Sequence, residues 1–308
     1  MSVNAQLDAP PKRPVSKDLL AGNIAGWARV FVGQPFDIVK VRLQSTSEYS
    51  GAFNCAKRIL AEEGPLAFYK GTVMPLLGIG TCVALQFGCL QVGKQYFIDQ
   101  NKARGIADPT FLSVPQLFLA GSFAGVGNSI AASPVEHIRI RLQSQSASTG
   151  KTYSGPFDLI SKVFKTDGIR GIYQGLTATV LREAWGYGVY FCVYESTIQQ
   201  VLKNNGWKRS ELPVIYAGVV GAGAGWAMWL SDYPLDVIKS RIQTDGFPSQ
   251  PEKRKYNGIA DVARKLYAQG GWKAFTRGIG PTLTRAPFVN AASFVTFETA
   301  MKGLNTLY

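Results

Sequence analysis

Three stretches of ten residues recur at a fixed period, and no other feature restricts the fold as much. Residues 35–44 read PFDIVKVRLQ, residues 134–143 read PVEHIRIRLQ and residues 234–243 read PLDVIKSRIQ. Each is proline, any residue, an acid, two residues, a base, one residue, a base, one residue and glutamine. The prolines stand 99 and 100 residues apart, so the 308-residue chain divides into three units of about one hundred. One match would mean little; three in register mark a threefold repeat of one supersecondary unit.

Each unit carries two long apolar segments around a shorter amphipathic one. Helices are expected over 19–44, 52–62 and 72–97, then 115–143, 156–165 and 176–202, then 212–243, 258–268 and 279–304. The repeats are bounded at 18–104, 115–205 and 212–304, and residues 1–17, with three prolines, are read as a disordered tail without a secretory signal's apolar stretch. The long segments exceed the roughly 20 residues that cross a bilayer. With 17% charged residues, 46% hydrophobic residues and 33 glycines, the chain suits packed membrane helices. An all-α membrane protein with six transmembrane helices in three pseudo-symmetric repeats is expected. Gly22 and Gly26, Gly121 and Gly125, and Gly221 and Gly225 precede the prolines by 13 and 9 positions. That small-xxx-small spacing predicts close helix approach in every repeat. Arg29, Arg182, Glu183, Asp232 and Arg285 interrupt the long segments, and charges inside spanning helices normally face a water-filled cavity.

A second motif follows each signature: Glu63-Gly64 to Tyr69-Lys70-Gly71, Asp167-Gly168 to Tyr173-Gln174-Gly175, and Gly270-Gly271 to Thr276-Arg277-Gly278, the last without its acid and aromatic. Over residues 16–303 the two motifs resemble the mitochondrial carrier family. The resemblance implies a multi-pass solute carrier of the mitochondrial inner membrane that works as a monomer by alternating access without a cofactor. It places the three short helices on the matrix side, with cardiolipin at their starts, after Gly51, Gly155 and Gly258. It also implies a matrix gate of ion pairs, Asp37 with Arg139, Glu136 with Lys239 and Asp236 with Lys40, braced by Gln44, Gln143 and Gln243. The corresponding cytoplasmic gate is Gln91, Lys94, Glu195 and Glu298, in which Lys94 with Glu298 is the expected ion pair. On this reading the matrix gate is the stronger, and the substrate-free cavity opens to the cytosol.

Counted from Gly71, Gly175 and Gly278, the family's contact level falls on Gly78, Arg182 and Arg285, with Glu183 beside Arg182. An arginine can hold a carboxylate bidentately, and a glutamate calls for a cation. Adjacent helical positions point about 100° apart, so Arg182 and Glu183 are expected to reach different substrate groups rather than each other. The set resembles the amino-acid and acylcarnitine branch, including fungal ornithine-type carriers, and fits a small substrate with a carboxylate and a cation. Cys82 stands where the basic-amino-acid carriers have a further acid, which favours a neutral amino acid or a carnitine ester. A carnitine or acylcarnitine carrier is the alternative, and a proton-leak protein a remoter one. Arg29 is read as lining the cavity. Asp232 has two readings open: a substrate cation, or a partner such as Arg29 or a gate lysine. His137 is read as a packing residue beside the gate.

Other classes find no support. The formal net charge of +13 is spread over all three units without a nucleic-acid motif, so anionic lipid and substrate groups, not nucleic acid, are the expected partners. Four dispersed cysteines and a single histidine give no metal site. No nucleotide loop or catalytic triad points to an enzyme.

Overall fold

The computed structural model describes residues 15–306 except 47, 146–151, 208 and 248. The expected tail lies outside the described residues as far as position 14, and residues 15–17, also assigned to it, belong to the first helix. The helices are α1 Val15–Ser45, α2 Ala52–Glu63, α3 Val73–Ala103, α4 Val114–Ser144, α5 Pro156–Ile172, α6 Leu176–Asn205, α7 Val214–Gln243, α8 Ile259–Gly270 and α9 Ile279–Thr306. No strand occurs among the described residues. The long helices hold 28 to 31 residues, about 45 Å at 1.5 Å per residue, against a hydrocarbon core of roughly 30 Å.

By length and composition only Pro65–Ala103 passes as a span among the described residues, and every long helix carries charges somewhere along its length. Several of those charges are turned inward. Arg42, Arg182, Glu183, Asp232 and Lys239 are buried, while Trp27, Phe31, Leu77, Leu119, Trp226 and Leu230 stand exposed on the outside. A water-soluble protein has the reverse arrangement, and lipid outside with a polar interior accounts for it.

The short helices α2, α5 and α8 bury matching pairs four residues apart: Cys55 and Ile59, Leu159 and Val163, Val262 and Leu266. These pack under the signature ends of α1, α4 and α7 together with Tyr49, Tyr153 and Tyr256. The second motif works through its glycines. Gly64, Gly168 and Gly271, then Gly71, Gly175 and Gly278, all take positive φ between 56° and 88°, a region that disfavours side chains. The third copy keeps this turn although its acid and aromatic are gone. Each closing glycine also lies against the signature glutamine of another repeat: Gly71 by Gln143, Gly175 by Gln243 and Gly278 by Gln44.

Packing around the bundle is uneven. The helix α1 lies along α9, α3 along α4, α4 along α6 and α6 along α7, whereas α1 and α3 touch only lightly. The expected close approach through glycine pairs holds in one repeat. A Cβ on Gly121 or Gly125 would collide with the backbone of α6 at Tyr187, Gly188, Glu183 or Ala184. Gly22 and Gly225 have nothing within 4 Å, Gly26 meets only a side-chain tip of Ile79, and Gly221 only the rings of Tyr190 and Tyr194. The expectation for the first and third repeats is therefore corrected. Their helices splay where those of the second cross backbone to backbone.

Candidate functional site

The three proline-containing helices converge at their signature ends. Proline removes a backbone donor inside a helix and relaxes its axis, and the acid and base three residues on share one face. All three expected pairs form between helices. Arg139 donates to Asp37 at 2.6 Å and Lys40 meets Asp236 at 2.7 Å. Lys239 donates to Glu136, and it is one of the largest fully buried side chains.

The bracing is less regular than the repeat suggests. Gln44 donates to Asp236 at 3.1 Å and to the Tyr233 hydroxyl at 3.2 Å, and accepts from Ser240 at 2.9 Å, so it acts as a brace. Gln243 donates instead to Thr179, and Gln143 leaves its buried amide nitrogen without a partner. Both lie against a closing glycine, Gly71 or Gly175, as Gln44 does against Gly278, so such a contact alone does not make a brace. The Asp37–Arg139 pair takes its brace from Gln34, whose Oε1 accepts from Arg139 at 2.7 Å while its Nε2 donates to Lys70 O. Sequence comparison passes over Gln34 because its counterparts are Ser133 and Tyr233.

Behind this ring lies a cavity of about 200 Å³ lined by Arg182, Arg285, Trp229 and the ring residues. Arg182 and Arg285 thus face the same space, as their alignment predicts. Arg285 Nε lies 3.1 Å from Asp37, which it shares with Arg139. Arg182 sits 5.2 Å from the Trp229 ring centroid, and Lys40 lies 4.6 Å from the same ring. Trp229 has no aromatic counterpart at Val30 or Ser129, so the repeat gives no sign of it.

Three expected contact residues are placed otherwise. Glu183, 2% exposed, pairs with its neighbour Arg182 and accepts from Asn128 Nδ2 at 2.9 Å. The expectation that Arg182 and Glu183 reach apart is thereby corrected: the tight α4–α6 crossing buries Glu183 in a seam, where only an adjacent cation and an α4 amide can satisfy it. Gly78 is also removed from the cavity wall, since a Cβ there would lie 2.8 Å from Val135 of α4. Asp232 is fully buried and meets Arg182 at 3.2 Å, not Arg29 or a lysine. Arg29 is exposed on the face of α1 that also carries Lys40, without an ion-pair partner among the described residues. His137 packs as expected. Its Nε2 accepts from Arg141 at 2.7 Å and its Nδ1 lies 2.9 Å from Ile172 O.

At the opposite end, Lys94 donates to Glu195 at 2.5 Å; the side chain of Glu298, the partner expected from the sequence, lies outside the described residues. Gly93 and Gly121 draw α3 and α6 tightly onto α4, which brings Lys94 and Glu195 together. Arg209, from the turn before α7, adds a second grip on Glu195 at 2.6 and 3.1 Å. Among the described residues no cluster of metal ligands is present.

The profile of the mitochondrial carrier protein family matches residues 11–101, 111–205 and 210–307, the three repeats just described. The chain belongs to the mitochondrial carrier family. It is 46% identical over 291 residues to a mitochondrial glycine transporter of Saccharomyces cerevisiae, covering 94% of this chain and 91% of that one. It is 44% identical over 299 residues to the glutamate/glycine mitochondrial carrier of Schizosaccharomyces pombe, covering 95% of this chain and 96% of that one. The mitochondrial basic amino acids transporter of Bos taurus is 39% identical over 283 residues, covering 91% and 89%. Within this family the polar cavity and its ion-pair floor belong to a transporter of small solutes.

Proposed function

We propose that this carrier moves a small zwitterionic amino acid of the glycine class across the mitochondrial inner membrane by alternating access. The observation that carries the reading is the polarity of the cavity. On one side Arg139 and Arg285 share the single carboxylate of Asp37. On the other, Lys40, Arg182 and Lys239 face Glu136, Glu183, Asp232 and Asp236. An α-carboxylate fits the first side, where a guanidinium offers paired donors, and an α-ammonium fits the second. Glu183 is already engaged, so no free acid waits for a second cation. This argues against ornithine-like substrates. Relatives named for glycine and for glutamate with glycine support the same choice, and a carnitine carrier is more distant, at 36% identity.

The three pairs below the cavity form the matrix gate, with Gln44 and Gln34 as braces, and Lys94, Glu195 and Arg209 form the cytoplasmic one. Substrate binding offsets the disruption of one latch as the other closes. Cardiolipin is assigned to the starts of α2, α5 and α8, where unpaired backbone N–H groups attract anions, and the carrier acts as a monomer. Uptake into liposomes of labelled glycine, glutamate, ornithine and carnitine, with each also trapped inside, tests the reading. Glycine exchange well above ornithine and carnitine is expected; movement of carnitine or ornithine without glycine overturns it. Arg285→Ala should lower glycine uptake at least tenfold.

A further inference from the structure

The crowded side of the cavity carries one carboxylate more than it can neutralise. Asp232 is 0% exposed, and neither of its carboxylate oxygens has a hydrogen-bond partner. It rests against α6 in a space that exists because residue 186 is glycine: a Cβ there would lie 2.7 Å from Asp232 Oδ2. Among the described residues its one ionic contact is Arg182, at 3.2 Å. That guanidinium is also claimed by Glu183 and, at 3.8 Å, by Asp236. Around Asp232 stand Arg182 and Glu183 from α6, Lys40 from α1 and Asp236 from its own helix. Glu136 of α4 and Lys239 complete the group, paired with each other. Four carboxylates thus meet three bases. A buried carboxylate without hydrogen bonds is unstable as an anion unless a charge is dedicated to it, and here the only nearby guanidinium is shared three ways.

We propose that Asp232 is a proton site linked to the substrate site, holding a proton in the empty, ring-closed carrier and releasing it when the positive end of the substrate arrives. The argument rests on the amino-acid reading above. The substrate's ammonium group settles beside Asp236, which lines the cavity one helical turn from Asp232. It supplies the missing positive charge, so the Asp232 O–H bond breaks and its proton leaves through the hydrated cavity. The carboxylate that remains pairs with Arg182. Substrate and proton then compete for one surplus negative charge, and by linkage each weakens the other's binding.

Calorimetric titration of the purified full-length chain with glycine, in buffers of different ionisation heat at one pH, reads the proton directly. About one proton released per glycine is expected, with glycine affinity falling about tenfold per pH unit on the acid side of the transition. Asp232→Asn, which keeps the neutral form at every pH, should bind glycine as weakly as the unmodified chain does at low pH, with no buffer dependence and a flat pH profile. Infrared difference spectra of the unmodified chain give a reading that needs no variant: glycine addition should remove a protonated-carboxyl C=O band. Glycine binding without proton release or without loss of that band overturns the proton site and leaves the amino-acid reading standing. A proton still released by the Asn variant overturns the assignment to Asp232. Failure of glycine to bind at any pH overturns the amino-acid reading itself.

Discussion

The second repeat and the other two share a sequence pattern and differ in how it is used. In the second, Gly121 and Gly125 let α4 lie on the α6 backbone, and Asn128 of the same helix face holds Glu183 inside the crossing. In the first and third, the corresponding glycines meet little. The residues six before the prolines are Arg29, Asn128 and Met228: an exposed cation, a buried amide and a buried thioether. The second repeat is thus a tight hairpin that holds Glu183 inside its own crossing, while the first opens between α1 and α3. A threefold sequence does not require threefold mechanics. One unit can serve as the firm wall of the cavity while others are free to move against it.

The largest way to break this comparison is Glu183→Ala. It leaves the Asn128 amide unpaired in the α4–α6 seam and empties the space the carboxylate fills, while Arg182 keeps Asp232 and Asp236. It should destabilise the detergent-solubilised chain by about 2–4 kcal/mol, read as a drop in thermal midpoint. The aligned positions Ile79 and Ala286 carry no charge, so Ile79→Ala should be far milder. An equal loss at both would dissolve the distinction between the repeats.

Next in size is the glycine pair. Gly125→Ala should cost about 1–3 kcal/mol by forcing α4 off α6. Gly225→Ala, in open space, should be neutral or gain up to about 1 kcal/mol from helix propensity. The contrast is measured by melting the two variants side by side.

Smaller still, Gln44→Ala removes a true brace and should lower stability by about 1 kcal/mol. Gln243→Leu, by contrast, removes a buried side chain whose Oε1 already lacks a partner and leaves no ion pair unbraced, and should cost about half of that or less. Melts of both variants at one pH decide this. If the Gln243 variant loses more, the bracing is regular after all.

The mildest test uses acid, at the link below the first repeat. Burial alone pushes the Glu63 carboxyl up, but hydrogen bonds from Arg42 and Lys70 outweigh it and hold the group at about 2 against an ordinary 4.5. Its stabilisation is complete above about pH 4.5 and is lost as the pH falls toward 2. The thermal midpoint should decline through that window, and Glu63→Gln should flatten the decline. The third repeat has Gly270 at this position and contributes nothing to it.

The repeat, the helix starts to within four residues, most of the inward-facing charges and the three ion pairs were legible in the sequence, whereas α3 and α5 run six and seven residues past their expected ends. The first three follow from local periodicity and from residues that recur together. The acid and base three apart recur on three equivalent helices, but a ring of three can pair in either sense, and which base each acid takes followed from the resemblance to the mitochondrial carrier family. Tertiary structure alone decided which glycines pack, that Glu183 turns to Arg182, that Asp232 is sealed away, and that Lys94 takes Glu195. Those outcomes depend on how deeply one helix sinks into another. That depth is set by residues the repeats do not share, such as Asn128, Trp229 and the side-chain-free Gly186, and no periodicity records it.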